Sequence, residues 1–151
     1  MRSLTAISMG ALVSLGMMIG SAAAQDRVAE DQTPTGKFLT AAEVKPILGA
    51  TKANWVAVRE WEGQDLIYFT HLLSWRCGLY EIRFAVNGEG MKRWPFPECD
   101  PATNTVGAIP DGAPIYTELP LKSVQSITVE LLYDDLSTET ASFERGSILI
   151  P

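Results

Sequence analysis

Two stretches of the chain alternate apolar and polar side chains residue by residue. Residues 80–86 place Glu81 and Arg83 between apolar side chains, and residues 124–133 repeat the pattern over a longer run. Successive side chains of a β-strand point to opposite faces, so this spacing predicts two strands that each bury one face. The predicted inward-facing side chains are Tyr80, Ile82, Phe84, Val86, Ile127, Val129, Leu131 and Tyr133.

Shorter runs predict further strands on both sides of these two. Residues 55–61 and 66–75 are rich in β-branched and aromatic side chains, and the turn residues between them predict a hairpin. Asn87-Gly88 is a strong turn signal after the strand 80–86. The remaining predicted strands are 116–119, 138–143 and 147–150.

One short helix is predicted over residues 41–48. Thr40 and Glu43 have the spacing of a capping box, whereas Pro46 removes one helical hydrogen bond and keeps the helix short or divided. Because many short strands follow without a βαβ rhythm, the predicted fold class is mainly β. It is either an antiparallel β-sandwich or a small β-barrel, with one short N-terminal helix and one disulfide.

The first 24 residues have the pattern of a secretory signal peptide. The apolar run 4–19 is shorter than the roughly 20 residues that span a bilayer, and Ala24 lies at a small-residue cleavage site before Gln25. We therefore expect cleavage near Ala24/Gln25, no membrane insertion afterwards, and location in the periplasm or outside the cell; a retained membrane anchor is the alternative. The predicted organisation is a signal peptide at 1–24, a flexible leader at 25–38 and a single β-rich domain at 39–151.

Charge and cysteine content agree with an exported binding domain. The formal net charge of −6 disfavours nucleic acid, which requires basic surfaces. Cys77 and Cys99 are the only cysteines, and an oxidising compartment lets them pair. Such a loop closure contributes roughly 3 kcal/mol in the chain-entropy model. Without Cys-x-x-Cys spacing, a structural disulfide is favoured over a redox pair.

The sequence offers little that favours catalysis. His71 is the only histidine and is in phase with the apolar residues of the predicted strand 66–75, so a core position is expected. A hydrolase built on His71 would need a nucleophile and an orienting carboxylate, and no Gly-x-Ser-x-Gly elbow presents a serine. With one histidine and two paired cysteines, neither a metal site nor a cofactor is predicted.

Aromatic residues near turns are the predicted recognition residues. Trp94, Phe96 and the Pro-rich loop that follows them form the principal candidate surface, because long ordered loops on a β scaffold commonly carry function. Trp61 and Trp75 are further candidates. The structural alternative, which we favour for these rings, is that Trp55 and Trp75 fill the core and Trp94 covers the disulfide.

The sequence thus predicts a non-enzymatic binding or accessory protein of the bacterial-type cell envelope, with an envelope protein as its partner. The alternative is a glycan or a small apolar ligand bound in a barrel mouth. A hydrolase that uses His71 ranks below both.

Overall fold

The computed structural model describes residues 26–151, so the predicted signal peptide and its cleavage site near Ala24/Gln25 lie outside the described residues. The described part is mainly β, as predicted, with two four-stranded sheets and three short helices. The strands are β1 (Ala57–Trp61), β2 (Gln64–Tyr68), β3 (Leu79–Val86), β4 (Lys92–Trp94), β5 (Tyr116–Pro120), β6 (Ser126–Tyr133), β7 (Thr138–Glu144) and β8 (Leu149–Ile150). The helices are α1 (Ala41–Ala50), α2 (Thr70–Ser74) and α3 (Arg145–Ile148), with 3-10 turns at Lys52–Asn54 and Arg76–Gly78.

The two sheets share one apolar core. The first has the strand order β5-β2-β1-β8 and the second the order β4-β3-β6-β7. Neighbouring strands are antiparallel except β1 and β8, which are parallel. Val58 and Ile67 of the first sheet belong to the same buried cluster as Ile82 and Leu131 of the second. The alternation predicted for β6 is confirmed, since the side chains predicted to face inward are all buried, namely Ile127, Val129, Leu131 and Tyr133.

The β1–β2 hairpin is present, with Glu62 and Gly63 at positive φ in its two-residue turn. The prediction that the second strand runs to Trp75 is wrong, because β2 ends at Tyr68 and α2 follows. Phe69, Leu72 and Leu73 are all fully buried, and their i, i+3, i+4 spacing is that of a helix.

Two further strand predictions differ from the structure at their ends. A register shift between Leu79 and Glu81 interrupts the pairing of β3 with β6, so Leu79 is buried while Tyr80 turns outward. The hydroxyl of Tyr80 donates to the carbonyl of Val28 at 2.6 Å instead of facing the core. Near the C-terminus, only Leu149–Ile150 of the predicted strand 147–150 is extended, since Ser147 lies in α3.

Helix α1 starts at a capping box in which the Glu43 carboxylate accepts backbone N–H groups from the preceding loop. The donors are the N-cap Thr40 at 3.4 Å and, before it, Thr35 at 2.8 Å, Gly36 at 2.6 Å and Leu39 at 2.9 Å. Ala41 and Val44 face the core, and Pro46 lies inside the helix. The helix therefore closes one side of the core where it meets the turn before β3.

No helix within residues 26–151 has the length and apolar character needed to cross a membrane.

Candidate recognition cleft

The disulfide between Cys77 and Cys99 is present, as predicted, with 5.1 Å between the two Cα atoms. Cys77 lies in the 3-10 turn before β3, and Cys99 lies in the irregular segment that follows β4. The bond therefore holds the start of the loop 95–115 against the beginning of β3.

A cleft of about 660 Å³ opens beside this disulfide. It lies where the start of β3, the end of β4 and the loop around Pro95 meet, and the N-terminal segment closes one side. Its lining combines guanidinium groups with aromatic rings and a single carboxylate. We call this site the Arg93 cleft, and the lining residues that matter for its chemistry are Arg27, Arg76, Arg93, Trp94, Phe96 and Glu98.

Trp94 and Phe96, the principal predicted recognition residues, both line the Arg93 cleft. Trp94 ends the edge strand β4 and is only 5% exposed, with its ring centroid 4.4 Å from that of Phe69. Its indole Nε1 is buried and has no hydrogen-bond partner among the described residues. Phe96 is partly buried and packs against the core. Trp94 is thus a fixed wall of the cleft, while Phe96 keeps part of its ring accessible.

Arg76 forms a buried guanidinium beside the cleft, a feature that sequence patterning does not reveal. It is 4% exposed and donates three hydrogen bonds of 3.0 Å, to the carbonyl oxygens of Leu73, Pro97 and Ala108. Within residues 26–151, no carboxylate oxygen lies within ion-pair distance of it. Burial lowers the pKa of Arg76. Arg76 thus holds the loop 95–115 by hydrogen bonds to the carbonyl groups of Pro97 and Ala108. The positive charge of Arg76 has no anionic partner within residues 26–151.

Glu81 of β3 is shared by three arginines, two of which line the cleft. Its carboxylate lies 2.6 Å from Arg27, 2.7 Å from Arg83 and 3.9 Å from Arg93. Burial raises the pKa of Glu81, but the Arg83 hydrogen bond and the charges of the three arginines outweigh burial and lower it. Arg93 has the longest of the three distances, and its side chain is 57% exposed. Its guanidinium is therefore the most accessible of the three.

The N-terminal segment, predicted as a flexible leader over 25–38, contacts the body of the protein at several points. The amide of Glu30 donates to the carbonyl of Asp134 at 2.9 Å, and the Gln32 side chain donates to the Asp134 carboxylate at 2.9 Å. Asp134 is buried, which raises its pKa even though Gln32 and the amide of Ala41 donate to it. These contacts place Arg27 at the rim of the cleft.

The other two predicted recognition residues lie elsewhere. Trp61 is 49% exposed at the end of β1, with the guanidinium of Arg59 4.4 Å above its ring. Trp75 is partly buried and makes an edge-on contact with Phe38 at 5.4 Å. Neither lines the Arg93 cleft, so the structure brings together Trp94 and Phe96 and separates them from Trp61 and Trp75.

His71 lies on α2 and not on a strand, and it is partly buried beside a separate cavity of about 420 Å³. Its Nε2 is 2.8 Å from the hydroxyl of Thr51, which itself donates to the carbonyl of Ile47 at 2.7 Å. Because that hydroxyl has one proton, Nε2–H of His71 must donate to Thr51. Burial lowers the pKa of His71, and no carboxylate in the described part of the chain forms an ion pair with it. This is the hydrogen bonding of a structural histidine: in the described residues it has neither the nucleophile nor the orienting acid that a triad places beside its histidine.

Neither a metal centre nor a known relative identifies the site. Within the described range, no three His, Cys, Asp or Glu side chains come together in a group that could hold a metal ion. Comparisons with protein-family models, with curated proteins and with solved structures found no match. The function of the Arg93 cleft is therefore inferred from its own geometry and charge.

Proposed function

We propose that this chain is an exported, non-enzymatic accessory protein of the bacterial-type cell envelope that binds a partner protein through the Arg93 cleft. Its place of action would be the periplasm or the cell exterior. The observation that carries the proposal is the joint placement of Trp94 and Phe96 in a cleft of about 660 Å³ beside the disulfide. Clefts of this size that combine aromatic and charged side chains are typical binding sites.

The scaffold suits such a role. We take the two sheets to pack face to face as a β-sandwich, since side chains from both belong to one buried cluster. The disulfide and the Arg76 hydrogen bonds to Pro97 and Ala108 hold the loop 95–115 in place at three points. Less conformational entropy is lost on binding when the site is held in place beforehand.

Binding energy at protein interfaces is concentrated in a few aromatic and arginine side chains. Phe96 is a partly accessible apolar ring of the cleft, and Arg93 has its most exposed guanidinium. We therefore assign these two residues as the main contacts for a partner, with Trp94 as the supporting wall. Truncation of a central contact commonly costs at least about 2 kcal/mol, close to thirtyfold in affinity.

Glycan binding is the second candidate, and a different surface favours it. On the outer face of the first sheet, Trp61 and Tyr116 are 49% and 42% exposed, and Tyr116 lies 5.4 Å from Tyr68. Exposed flat aromatic rings can stack on sugar rings, although Trp61 lies at the opposite end of the strands from the Tyr68–Tyr116 pair. Trp61→Ala separates the two candidates, because Trp61 is remote from the lining of the Arg93 cleft.

The test is affinity capture from oxidised periplasmic extract of the source organism, with purified full-length disulfide-bonded protein as bait. The unmodified protein and Trp61→Ala should retain the same stoichiometric partner, and Phe96→Ala should lose it. Near-ultraviolet circular dichroism confirms that each variant is folded. Equal retention by Phe96→Ala, or no partner at all, would overturn the proposal. Loss of a soluble glycan by Trp61→Ala alone would favour the second candidate.

A further inference from the structure

We infer that the Arg93 cleft receives a carboxylate from an acidic, apolar-flanked segment of the partner protein. The inference rests on the proposed function and specifies the chemistry of what enters the site. Three arginines and one glutamate line the cleft, whereas the chain as a whole has a formal net charge of −6. The sign of the charge in the cleft is therefore opposite to that of the protein, and this favours an anionic occupant.

The buried guanidinium of Arg76 is the first observation that points to an anion. A buried charge is ordinarily paired, because desolvation of an unpaired ion is costly. Arg76 has five N–H donors, and three of them bond to carbonyl oxygens in the described part of the chain. Carbonyl groups satisfy hydrogen bonds but carry no net charge. A carboxylate that enters the cleft would supply the missing negative charge.

Arg93 provides the direct contact. It has a 57% exposed side chain and its nearest acidic oxygen, on Glu81, is 3.9 Å away. A planar guanidinium can bind a carboxylate through two parallel hydrogen bonds, a geometry that lysine cannot supply. Glu81 is already shared with Arg27 and Arg83 at 2.6 Å and 2.7 Å, so Arg93 can turn to an incoming carboxylate without leaving Glu81 unpaired.

The apolar part of the lining favours a peptide over a free inorganic anion. Trp94, Pro95 and Phe96 form one wall, and a volume of about 660 Å³ exceeds the needs of a small ion. An acidic side chain next to an aromatic one would match both the charge and the apolar wall.

The experiment compares two peptides by isothermal titration calorimetry at low salt. The first is acetyl-Ala-Glu-Phe-Glu-Ala-amide, and the second has Gln in place of each Glu. The Glu peptide should bind at least about tenfold more tightly, because a hydrogen bond between a guanidinium and a carboxylate is stronger than one to a neutral amide. Binding should weaken as salt is raised. Equal binding of the two peptides, or no binding of either, would overturn the inference.

Two variants of the full-length protein should change the affinity for the Glu peptide in opposite directions. Arg93→Gln should weaken binding of the Glu peptide about tenfold, while Glu98→Gln should strengthen it by removing the carboxylate that competes for the cleft. Arg59→Gln, on the first sheet, is the matched control and should have no effect. A decrease with Glu98→Gln, or equal losses with Arg93→Gln and Arg59→Gln, would contradict the assignment.

Two further outcomes separate this inference from the proposed function. If inorganic phosphate displaces the Glu peptide at equal concentration, the site is a general anion site and the peptide assignment is wrong. If the captured partner depends on Phe96 but not on Arg93, the proposed function stands and the acidic segment is excluded. If the partner depends on neither residue, both fail.

Discussion

Arg145 of α3 and Asp65 of β2 form a two-pronged ion pair, with distances of 2.7 Å from Nη1 to Oδ2 and 3.0 Å from Nη2 to Oδ1. Asp65 is fully buried, and its Oδ2 also accepts the amide of Val124 at 3.0 Å. Burial raises the pKa of Asp65, but the hydrogen bonds from Arg145 and Val124 outweigh burial and lower it. The pair therefore joins β2, the segment before β6 and the C-terminal helix through one ionised carboxylate.

Asp65→Asn should destabilise the protein by about 3 kcal/mol, since it leaves the charge of Arg145 without its buried partner. Glu60 also contacts Arg145, at 2.6 Å, but its side chain is 38% exposed. Glu60→Gln should therefore cost no more than about 1 kcal/mol. Urea unfolding measures the unfolding free energy of each variant. Similar decreases for Asp65→Asn and Glu60→Gln would show that the buried ion pair stabilises the protein no more than the exposed one.

Gly78 should not tolerate a side chain. A Cβ at this position would overlap Cγ2 of Val44 and lie 2.9 Å from the carbonyl of Thr40. Gly78→Ala should cost about 1–3 kcal/mol, because α1 must shift away from the turn before β3. Gly90→Ala is the control, since its Cβ would meet open space. Thermal unfolding compares them; an equally stable Gly78→Ala would mean that α1 packs differently.

Local chemistry explains which parts of the fold could be predicted from the sequence. The alternation in β6 predicts its buried face, because one side of the strand meets the core along its whole length. The prediction of a strand over 66–75 was wrong for its second half. The aromatic and β-branched residues of this run are typical of a strand, but Phe69, Leu72 and Leu73 have the spacing of a helix. The prediction that Tyr80 faces the core was wrong because a β-bulge shifts the register between Leu79 and Glu81. The alternation of apolar and polar residues does not indicate where such a bulge lies.

The candidate site was predictable only in part. Trp94 and Phe96 stand out because prolines and a cysteine mark their loop as ordered and irregular. Arg76 and Arg27 do not stand out in the sequence, since the residues that they contact are far from them along the chain. The Arg27–Glu81 pair spans 54 positions, and the Arg76 bond to Ala108 spans 32. Such contacts depend on the complete topology and cannot be read from local spacing.

Protonation of Glu43 should lower the free energy of unfolding as the pH falls. Burial raises its pKa, but hydrogen bonds from the amides of Leu39, Gly36 and Thr35 outweigh burial and lower the pKa to about 2. A carboxyl whose folded pKa lies below the ordinary 4.5 contributes stability above 4.5, and this contribution is lost as the pH falls towards about 2.

Glu43→Gln removes that titration, so its unfolding free energy should change less with pH over the same window. Urea unfolding at a series of pH values measures the slope for both proteins. Asp31, whose pKa is also lowered but which is exposed, provides a control as Asp31→Asn. Unchanged acid dependence in Glu43→Gln would contradict the capping role of this carboxylate.

His71 should titrate below the ordinary value because burial lowers its pKa from 6.5. Below 6.5 the unfolded chain takes up a proton before the folded protein does, so stability decreases as the pH falls through this region. His71→Gln should remove that decrease. Proton NMR of the imidazole ring measures the pKa directly, and a value above 6.5 would require an acidic neighbour and revive the hydrolase alternative.

Photocrosslinking from the Arg93 cleft tests the central claim most directly. Photoreactive benzoylphenylalanine replaces Phe96 in the exported chain in its source organism, and the exposed Leu121 is replaced in the control. The account predicts one specific protein adduct from position 96, none from position 121, and a strong reduction when Arg93→Gln is added. No adduct from position 96, or the same adduct from both positions, would contradict it.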